Sequence, residues 1–576
     1  MSATIPTATY HLGQYQAAIT AEIDALNAKN FTAGFWQKEA PLWTDSPEGQ
    51  ESIRSFMGWL RVAETMQKAV PEITDFVREV KAAGFQHVVV MGMGGSTMAP
   101  IVFEKSFSSS EGGLPISVLD TTDPGTVQQI EQSVPLAHTL FIVASKSGTT
   151  AEPLAFGDYF YAKLKEIKGD KAGENFVAIT DPGSKFVTNA TNEGYRKIFL
   201  NFAEVGGRFS ALTYFGLVPA ALYGINIAEL LDRAVAMMKA CGSDGSVTDN
   251  PGLQLGATMG VLSKAGRNKL TLVVPDKLHD LGLWLEQLLA ESTGKEGKGV
   301  LPVAGEPLAA PALYGHDRLF VYVGYEDTPD TDNRNKLKAL EEAGHPVVTI
   351  LMREPLDLGA EFFRWEVGTA TAGAVLRINP FDQPNVQESK TATDRVMKTV
   401  QEQGHLPAGP AAAATEAGVS YFTDAQGEGA TGTLAAFFTQ AQAGDFVCLQ
   451  AYLTESDKVS AQLQEFRSLV QQHLHLATTS GYGPRFLHST GQFHKGGPNT
   501  GLFVQFTHHS PVELPLPGRS YSFGTFEQAQ AQGDLETLQQ YKRRTLHIDL
   551  GSDAETSLGT VLAALKDALA KLPVAA

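Results

Sequence analysis

The feature that most constrains the fold is a series of short, continuously apolar segments separated by stretches with helical periodicity. Ten such segments are found, at His87–Met91, Ile116–Asp120, Thr139–Ala144, Phe176–Thr180, Leu270–Val274, Leu319–Val323, Val347–Leu351, Phe446–Tyr452, Leu502–Phe506 and Thr545–Leu550. Strands without polar alternation are buried on both faces, and their alternation with helices is typical of parallel sheets. The sequence therefore predicts an α/β protein whose parallel sheets are covered on both sides.

The same pattern divides the chain into parts. Apolar residues at helical spacing predict an N-terminal helical segment over residues 1–80. A first α/β domain is expected at 81–245 and a second at 246–403. Residues 404–434 are rich in Gly, Ala, Pro and Thr without periodicity, which predicts a loop or linker. A C-terminal α/β region follows at 435–576, and one option is that it completes the second domain.

Composition excludes several kinds of partner. The chain has 63 acidic and 45 basic residues, a formal net charge of −18, and such a field repels nucleic acid. Only two cysteines, Cys241 and Cys448, are present, which indicates a reducing compartment. The first residues lack a signal-peptide pattern, and the most apolar stretch, 211–225, is too short to span a membrane. We therefore expect a cytoplasmic protein with neither nucleic-acid nor membrane partners.

Two loops that follow strands of the first domain are suited to an anion. In Met91–Thr97 (MGMGGST), glycines allow backbone amides to approach a negative group. Ser145–Thr150 (SKSGTT) offers four hydroxyls and one ammonium, enough to surround a phosphate monoester. Because neighbouring strand ends face one crevice, the two loops together predict a phosphorylated ligand. The first loop alone also resembles a dinucleotide fingerprint with Asp120 as the ribose acid, but Thr97 replaces its third glycine.

Two further motifs carry residues that could do chemistry. Arg208, in the GGRFS segment, is a permanently charged planar group suited to a developing oxyanion. Gln287 and Glu291 are four apart on a helix that stops at Gly294, so they share a face. Glu291 lies in the last turn, where the helix dipole disfavours a carboxylate, and this hints at a tuned base. Taken singly, each of these residues also has a plainer interpretation as a solvated side chain.

The C-terminal region is rich in histidine. Seven of the fourteen histidines lie in 473–547, among them His488 and His494 in LHSTGQFHKGG. Their spacing matches no known metal-ligand pattern and no cysteine accompanies them, so no metal site is expected.

In order along residues 92–390, the motifs GMGGS, SKSGTT, GGRFS, the helix from Gln287 to Lys295 and FDQPNV before Lys390 resemble those of glucose-6-phosphate isomerases. With the tail HSTGQFHKGGPNTG, the chain is similar to the isomerase half of bifunctional transaldolase/glucose-6-phosphate isomerases. No segment the size of a transaldolase barrel precedes it, so we expect isomerase activity only. The resemblance implies two sugar-isomerase (SIS) domains of three αβα layers, a glucose 6-phosphate or fructose 6-phosphate substrate, and no cofactor or metal.

The resemblance also assigns roles, position by position. Ser145, Lys146, Ser147 and Thr150 would bind the sugar phosphate, Gly95 and Ser96 would line the pocket, Gln287 and Gln383 would hold the sugar, Arg208 would stabilise the intermediate, Glu291 would be the base, and Lys390 would assist ring opening. The ring-opening histidine of the family has no counterpart at its usual place in the chain, where His316 stands in an unrelated context. His488 or His494 would fill that role by a changed chain order.

The implied reaction is proton transfer through a cis-enediolate, in which Glu291 moves a proton between C2 and C1. Three alternatives remain: a dual phosphoglucose/phosphomannose isomerase, in which a threonine replaces Gln383; a non-catalytic SIS-type sugar-phosphate sensor; and a nicotinamide-dependent oxidoreductase. In the family each site borrows a residue from the partner subunit, so a homodimer is expected. The C-terminal region could instead supply that residue within one chain.

Overall fold

The computed structural model describes residues 5–108, 112–242, 245–328 and 330–572. These residues form three β-sheets, each covered by helices. The N-terminal segment comprises β1 (Thr7–His11), α1 (Gln16–Ala28), α2 (Phe31–Trp36), α3 (Pro47–Ser55) and α4 (Val62–Ala82). None of the described helices combines the length and the apolar character needed to cross a bilayer.

The first sheet has five parallel strands in the order β3-β2-β4-β5-β6. Its unit consists of β2 (His87–Gly92), α5 (Met98–Ser106), β3 (Ile116–Leu119), α6 (Pro124–Ser133), β4 (Thr139–Ala144), α7 (Ala151–Lys168), β5 (Phe176–Thr180), α8 (Lys185–Asn192), β6 (Lys197–Leu200), α9 (Tyr214–Tyr223) and α10 (Ile227–Ala240). Strands β4 and β5 are buried at every residue because helices cover both faces. The carboxyl ends of all five strands point to one edge of the sheet, which carries the Met91–Thr97 loop after β2 and the Ser145–Thr150 loop after β4.

The second sheet has the order β1-β10-β9-β7-β8. Its unit consists of α11 (Pro251–Lys264), β7 (Lys269–Val273), α12 (Leu281–Thr293), β8 (Leu301–Val303), β9 (Arg318–Tyr325), α13 (Thr331–Glu342), β10 (Val347–Met352), α14 (Leu358–Leu376) and α15 (Val386–Gln403). All its pairings are parallel except that of β1, the N-terminal strand, which runs antiparallel to β10. The N-terminal segment is thus part of the second unit as well as a cover for the first.

The third sheet has six strands in the order β11-β12-β16-β15-β13-β14. Its unit consists of β11 (Ala414–Glu416), β12 (Val419–Phe422), α16 (Gly429–Phe438), β13 (Phe446–Tyr452), α17 (Asp457–Leu474), β14 (Ala477–Tyr482), α18 (Gly491–Gly496), β15 (Gly501–Thr507), α19 (Phe523–Gln540), β16 (Arg544–Asp549) and α20 (Ala554–Leu569). It has its own hydrophobic core, and its strands do not join the second sheet. The expected linker at 404–434 is therefore only partly irregular, since it contains β11, β12 and the start of α16.

The C-terminal unit packs against the first unit through α19. Phe523, at the start of α19, lies 6.0 Å from Phe156 and 5.6 Å from Tyr159, measured between ring centroids. Both partners belong to α7, the helix that follows the SKSGTT loop. This contact brings the turn before α18 over the carboxyl edge of the first sheet.

An aromatic cluster packs beneath the loops at the carboxyl edge of the first sheet. Trp59 is fully buried and stacks on Phe209 at 5.0 Å, while Phe209 and Phe381 lie 5.3 Å apart. These contacts hold the segments that contain Arg208 and Gln383 in place. The predicted α/β class with parallel sheets is confirmed, and each of the ten predicted strands is present to within two residues at either end.

Candidate active site

A cavity of about 460 Å³ lies where the carboxyl edge of the first sheet faces α12 and the C-terminal unit. Twelve of the thirteen predicted site residues border it: Gly95, Ser96, Ser145, Lys146, Ser147, Thr150, Arg208, Gln287, Glu291, Gln383, Lys390 and His488. Its size is in the usual range for a small-molecule site. Segments from all three units therefore meet at one pocket.

The Ser145–Thr150 loop joins β4 to the N-terminus of α7. Ser145 is 2% exposed, and its hydroxyl has no hydrogen-bond partner among the described residues. Thr150 is the residue before α7, yet its side chain makes no capping bond. The unpaired amides and the dipole of a helix N-terminus favour an anion. The loop therefore presents hydroxyls that the protein leaves available to a phosphate.

Lys146 is engaged by the protein. Its ammonium forms an ion pair with Asp181 and donates to the carbonyl oxygen of Ala203 at 3.0 Å. Burial raises the pKa of Asp181, and the hydrogen bond from Lys146 partly offsets that rise. The side chain of Lys146 thus ties the Ser145–Thr150 loop to the segment after β6, and its charge acts on the pocket from there.

Glycines in the first loop permit three segments to touch. A methyl group on Gly95 would lie 1.9 Å from the carbonyl oxygen of Gly207. Gly94 has a φ of +55°, and a methyl group there would lie 2.7 Å from the carbonyl oxygen of His488. Only glycine allows both contacts, which bring the first loop against the Arg208 turn and the C-terminal unit.

Arg208 is the central cation of the pocket. It is 3% exposed, its Nε donates to Ser292 Oγ at 2.7 Å, and one Nη donates to Gln383 Oε1 at 3.0 Å. The same Nη lies 3.3 Å from Glu291 Oε1. Burial lowers the pKa of Arg208, whereas the charge of Glu291 opposes that change. A guanidinium stays charged under such conditions, so the pocket keeps a fixed positive group beside the carboxylate.

Arg208 and Lys295 together fix the turn before α15. The second Nη of Arg208 donates to the carbonyl oxygens of Pro380 at 2.7 Å and Asp382 at 2.9 Å. Lys295 Nζ donates to the carbonyl oxygen of Asn379 at 2.5 Å and pairs with Asp382 Oδ1 at 2.7 Å. Burial lowers the pKa of Lys295 to about 8. This double attachment sets the position of Gln383, the next residue.

Glu291 and Gln287 project from the last two turns of α12. Gln287 Nε2 donates to Glu291 Oε2 at 3.1 Å, so each oxygen of the carboxylate has one polar neighbour. Gln287 Oε1 is buried without a partner among the described residues. Glu291 is 9% exposed and borders the cavity. An oriented carboxylate at a cavity wall is the arrangement that a general base requires.

His488 enters the pocket from the C-terminal unit. Its Nε2 lies 2.9 Å from Glu152 Oε1, and its backbone oxygen accepts from Gln287 Nε2 at 2.9 Å. Burial alone would raise the pKa of Glu152, but the charge and hydrogen bond of His488 lower it. Gln530 Nε2 also donates to Glu152 Oε1, at 2.7 Å. A histidine held by an ionised carboxylate can act as an acid or a base.

Sequence reasoning missed Glu152 and Gln530. Glu152 stands two residues after Thr150, in the first turn of α7, and an acid at that position was the available signal. Gln530 offered none, because α19 meets α7 only through the docking of the C-terminal unit. Lys390, on α15, is exposed at the mouth of the cavity, and its charge also lowers the pKa of Glu152.

The structure places His494 outside this pocket, which corrects one of the two histidine predictions. It is 2% exposed, packs 5.1 Å from the ring of Phe503, and lies 3.5 Å from Cys448 Sγ. Burial lowers its pKa well below the usual value. It borders a separate cavity of about 660 Å³, on the other side of α12, together with Glu286. The helix α18 turns His494 into the C-terminal core, away from this pocket.

The fold and the pocket define an α/β protein with a site suited to a phosphorylated sugar. The family model for phosphoglucose isomerase matches residues 59–302. Glucose-6-phosphate isomerases from Rubrobacter xylanophilus and Carboxydothermus hydrogenoformans are each 30% identical to this chain; the alignments cover 58% of it and 88% and 84% of those proteins. The chain belongs to the glucose-6-phosphate isomerase family. This confirms the resemblance inferred from sequence and the prediction of an isomerase.

Solved structures agree on the fold. A glucose-6-phosphate isomerase from Chlamydia trachomatis has a TM-score of 0.57 at 18% identity, covering 69% of this chain and 89% of that one. A hypothetical protein from Thermus thermophilus has a TM-score of 0.58 at 24% identity, covering 68% of this chain and 100% of that one.

Proposed function

We propose that this chain interconverts glucose 6-phosphate and fructose 6-phosphate in the 460 Å³ pocket, with Glu291 as the proton-transfer base. One observation carries the proposal. Glu291 is oriented by Arg208 on one oxygen and Gln287 on the other, in a pocket that also contains the hydroxyls of the Ser145–Thr150 loop. Hydroxyls and a helix N-terminus suit the phosphate end of the substrate, and the carboxylate suits its carbonyl end.

The phosphate would be bound by Ser145, Ser147 and Thr150 at the N-terminus of α7. Lys146 contributes its charge while it fixes the loop through Asp181. Gly95 and Ser96 form the wall between this loop and Arg208. Such a set of donors and positive charges compensates locally for the net charge of −18, which would otherwise repel an anionic sugar.

Ring opening is the first chemical step, because the sugar is mostly cyclic in water and the proton on C2 is acidic only beside a free carbonyl. We assign it to His488, with Glu152 as the carboxylate that holds its imidazole at 2.9 Å. Lys390, at the mouth of the pocket, would assist by its positive charge. Gln287 and Gln383 would hold the open chain.

Proton transfer follows. Glu291 removes the proton from C2 of the aldose and returns it to C1, giving the ketose through a cis-enediolate. Arg208 supplies positive charge next to the enediolate oxygens, and its guanidinium does not become a competing proton donor. The reverse reaction uses the same groups in the opposite order.

Substrate preference, the likeness to a bifunctional enzyme, cellular location and oligomeric state stay predictions. Gln383, rather than threonine, favours glucose 6-phosphate over mannose 6-phosphate. The likeness to the isomerase half of a bifunctional enzyme, the cytoplasmic location and the homodimer rest on the resemblance and the sequence. A second subunit is not needed to bring His488 to Glu152, since both belong to one chain.

The proposal is tested by an assay of purified protein with fructose 6-phosphate, coupled to glucose-6-phosphate dehydrogenase. Glu291→Gln should lower kcat by about 10²–10⁴-fold, the usual worth of a general base. Glu286→Gln is the matched control, because it lies on the same helix and borders the other cavity. Turnover of Glu291→Gln close to that of the wild type would remove Glu291 from the role. Comparable turnover of mannose 6-phosphate would indicate the dual enzyme.

A further inference from the structure

Three metal-ligating side chains meet where the C-terminal unit contacts the first unit. Asp123 precedes α6, His508 follows β15, and Glu527 lies on α19. One potential ligand atom from each lies within 4.8 Å of the other two. Their exposed fractions are 0%, 4% and 1%. We propose that they form a site for one divalent transition-metal ion of the zinc class, which joins the two units.

Only some of the carboxylate oxygens in this cluster have hydrogen-bond partners among the described residues. Asp123 Oδ1 accepts from the backbone nitrogen of Thr126 at 2.7 Å, and its Oδ2 accepts from Thr454 Oγ1 at 2.9 Å and lies 3.3 Å from His508 Nε2. Glu527 Oε1, in contrast, has no hydrogen-bond partner within the described part of the chain. Nor does any described lysine or arginine form an ion pair with either carboxylate. A second buried carboxylate without compensation is unfavourable, so it requires a cation or a proton.

The donor set and its surroundings favour a cation. One imidazole nitrogen and two carboxylate oxygens are ligands that Zn²⁺ accepts in proteins, with water at the remaining position. Side chains that ligate a metal are usually oriented by hydrogen bonds from residues that do not touch the metal. Here Thr126 and Thr454 orient Asp123 in this way. The backbone oxygen of His508 is held in turn by Gln528 Nε2 at 2.7 Å. The carboxylate of Asp123 and the backbone at His508 are therefore fixed before any ion binds.

The position of the cluster gives it a structural role. Thr122, next to Asp123, donates to Gln530 Oε1 at 2.7 Å, and Gln530 follows Glu527 by three residues on α19. Gln530 Nε2 is also the donor that holds Glu152. An ion bound by Asp123 and Glu527 would thus fix both partners of the Thr122–Gln530 hydrogen bond, and it would hold the C-terminal unit against the first unit.

The competing arrangement is a metal-free cluster in which Glu527 is protonated, because burial and the charge of Asp123 raise the pKa of Glu527. The two arrangements predict opposite results for Glu527→Gln. If the group is already neutral, the amide replaces it without loss of stability and no metal binds. If an ion is bound, the amide removes a ligand and the metal-dependent stabilisation disappears.

The experiment uses the full chain, stripped with dipicolinate and titrated with ZnCl₂ alone. We expect about one zinc per chain by mass spectrometry after gel filtration, and a higher Tm in zinc than in EDTA, as for any ligand that binds only the folded state. His508→Gln and Glu527→Gln should each weaken zinc binding at least about tenfold. The matched controls are the exposed neighbour His509→Gln and, on the same helix, Glu536→Gln, which should bind zinc as the wild type does.

Two outcomes of the zinc titration would overturn the proposal: a wild-type chain with equal Tm in zinc and EDTA and no bound zinc, or equal zinc binding by wild type, His508→Gln and Glu527→Gln. A Co²⁺ titration of the wild-type chain keeps the test independent of whether the variants fold. A visible d–d absorption band that Zn²⁺ abolishes supports the site, and its absence contradicts it.

Discussion

The proposed role of His488 in ring opening can be tested directly by one substitution. The substitution His488→Gln removes the imidazole but keeps the backbone oxygen that accepts from Gln287, and glutamine can still donate to Glu152. The base, Glu291, keeps both of its polar neighbours. The variant should therefore lose ring opening while it retains proton transfer.

The expected magnitude follows from the loss of one acid–base group. Such a group is worth about 10²–10⁴-fold in rate, or about 3–5 kcal/mol of barrier. The substrate should still bind, because the phosphate loop is untouched, so kcat should fall far more than KM changes.

The assay that separates the two steps is the primary isotope effect with glucose 6-phosphate deuterated at C2. When ring opening limits the rate, breaking the C2–H bond no longer does, so the isotope effect should disappear in His488→Gln. Glu291→Asp is the control: it withdraws the carboxylate by one methylene, slows proton transfer, and should keep or increase the isotope effect. An enlarged isotope effect in His488→Gln, or a kcat within about threefold of wild type, would refute the assignment.

Three further variants test the geometry. Ser145→Ala removes a hydroxyl that is buried without a partner among the described residues, so KM should rise about 10- to 100-fold while Tm stays equal or increases; a lower Tm with unchanged KM would contradict this. Gly95→Ala should lower kcat/KM about 100-fold, because its methyl group meets Gly207 at 1.9 Å, whereas Gly206→Ala, whose nearest contact is at 3.9 Å, should be tolerated. Burial raises the pKa of Glu286 from 4.5 to about 7, so the folded chain holds a proton that the unfolded chain releases. Stability should therefore fall by on the order of 3 kcal/mol between pH 4.5 and 7 relative to Glu286→Gln, as measured by urea denaturation; a constant difference across that range would disprove it.

The sequence was sufficient for strands that are continuously apolar, and not for strands that lack this pattern, such as the short β8 (Leu301–Val303) and the polar β14 (Ala477–Tyr482). β4 and β5 are apolar at every position because both faces are covered, and this gives a continuous signal. β11 and β12 are short, and β11 ends its sheet, so their partly exposed residues have no such pattern. β6 is missed for the same reason, since it ends the first sheet.

The candidate site likewise contains residues that the sequence could place and residues that it could not. Motifs at neighbouring strand ends converge because parallel strands share an edge, so the phosphate loop and Arg208 could be placed together from sequence. The pair of Glu152 and His488 joins residues 336 positions apart, and it forms only when α19 docks on α7. His488 and His494 stand in one motif, and the direction of the short helix α18 decides that only His488 borders the pocket.

His488 and Glu152 belong to one polypeptide, and this has a kinetic consequence. When a catalytic group is supplied by a separate subunit, its presence depends on protein concentration, and dilution empties the site. Here the fold sets the effective concentration of the imidazole, as in any intramolecular encounter. Specific activity should then be the same at nanomolar and micromolar enzyme, and loosening of the C-terminal unit should inactivate the enzyme by a first-order process.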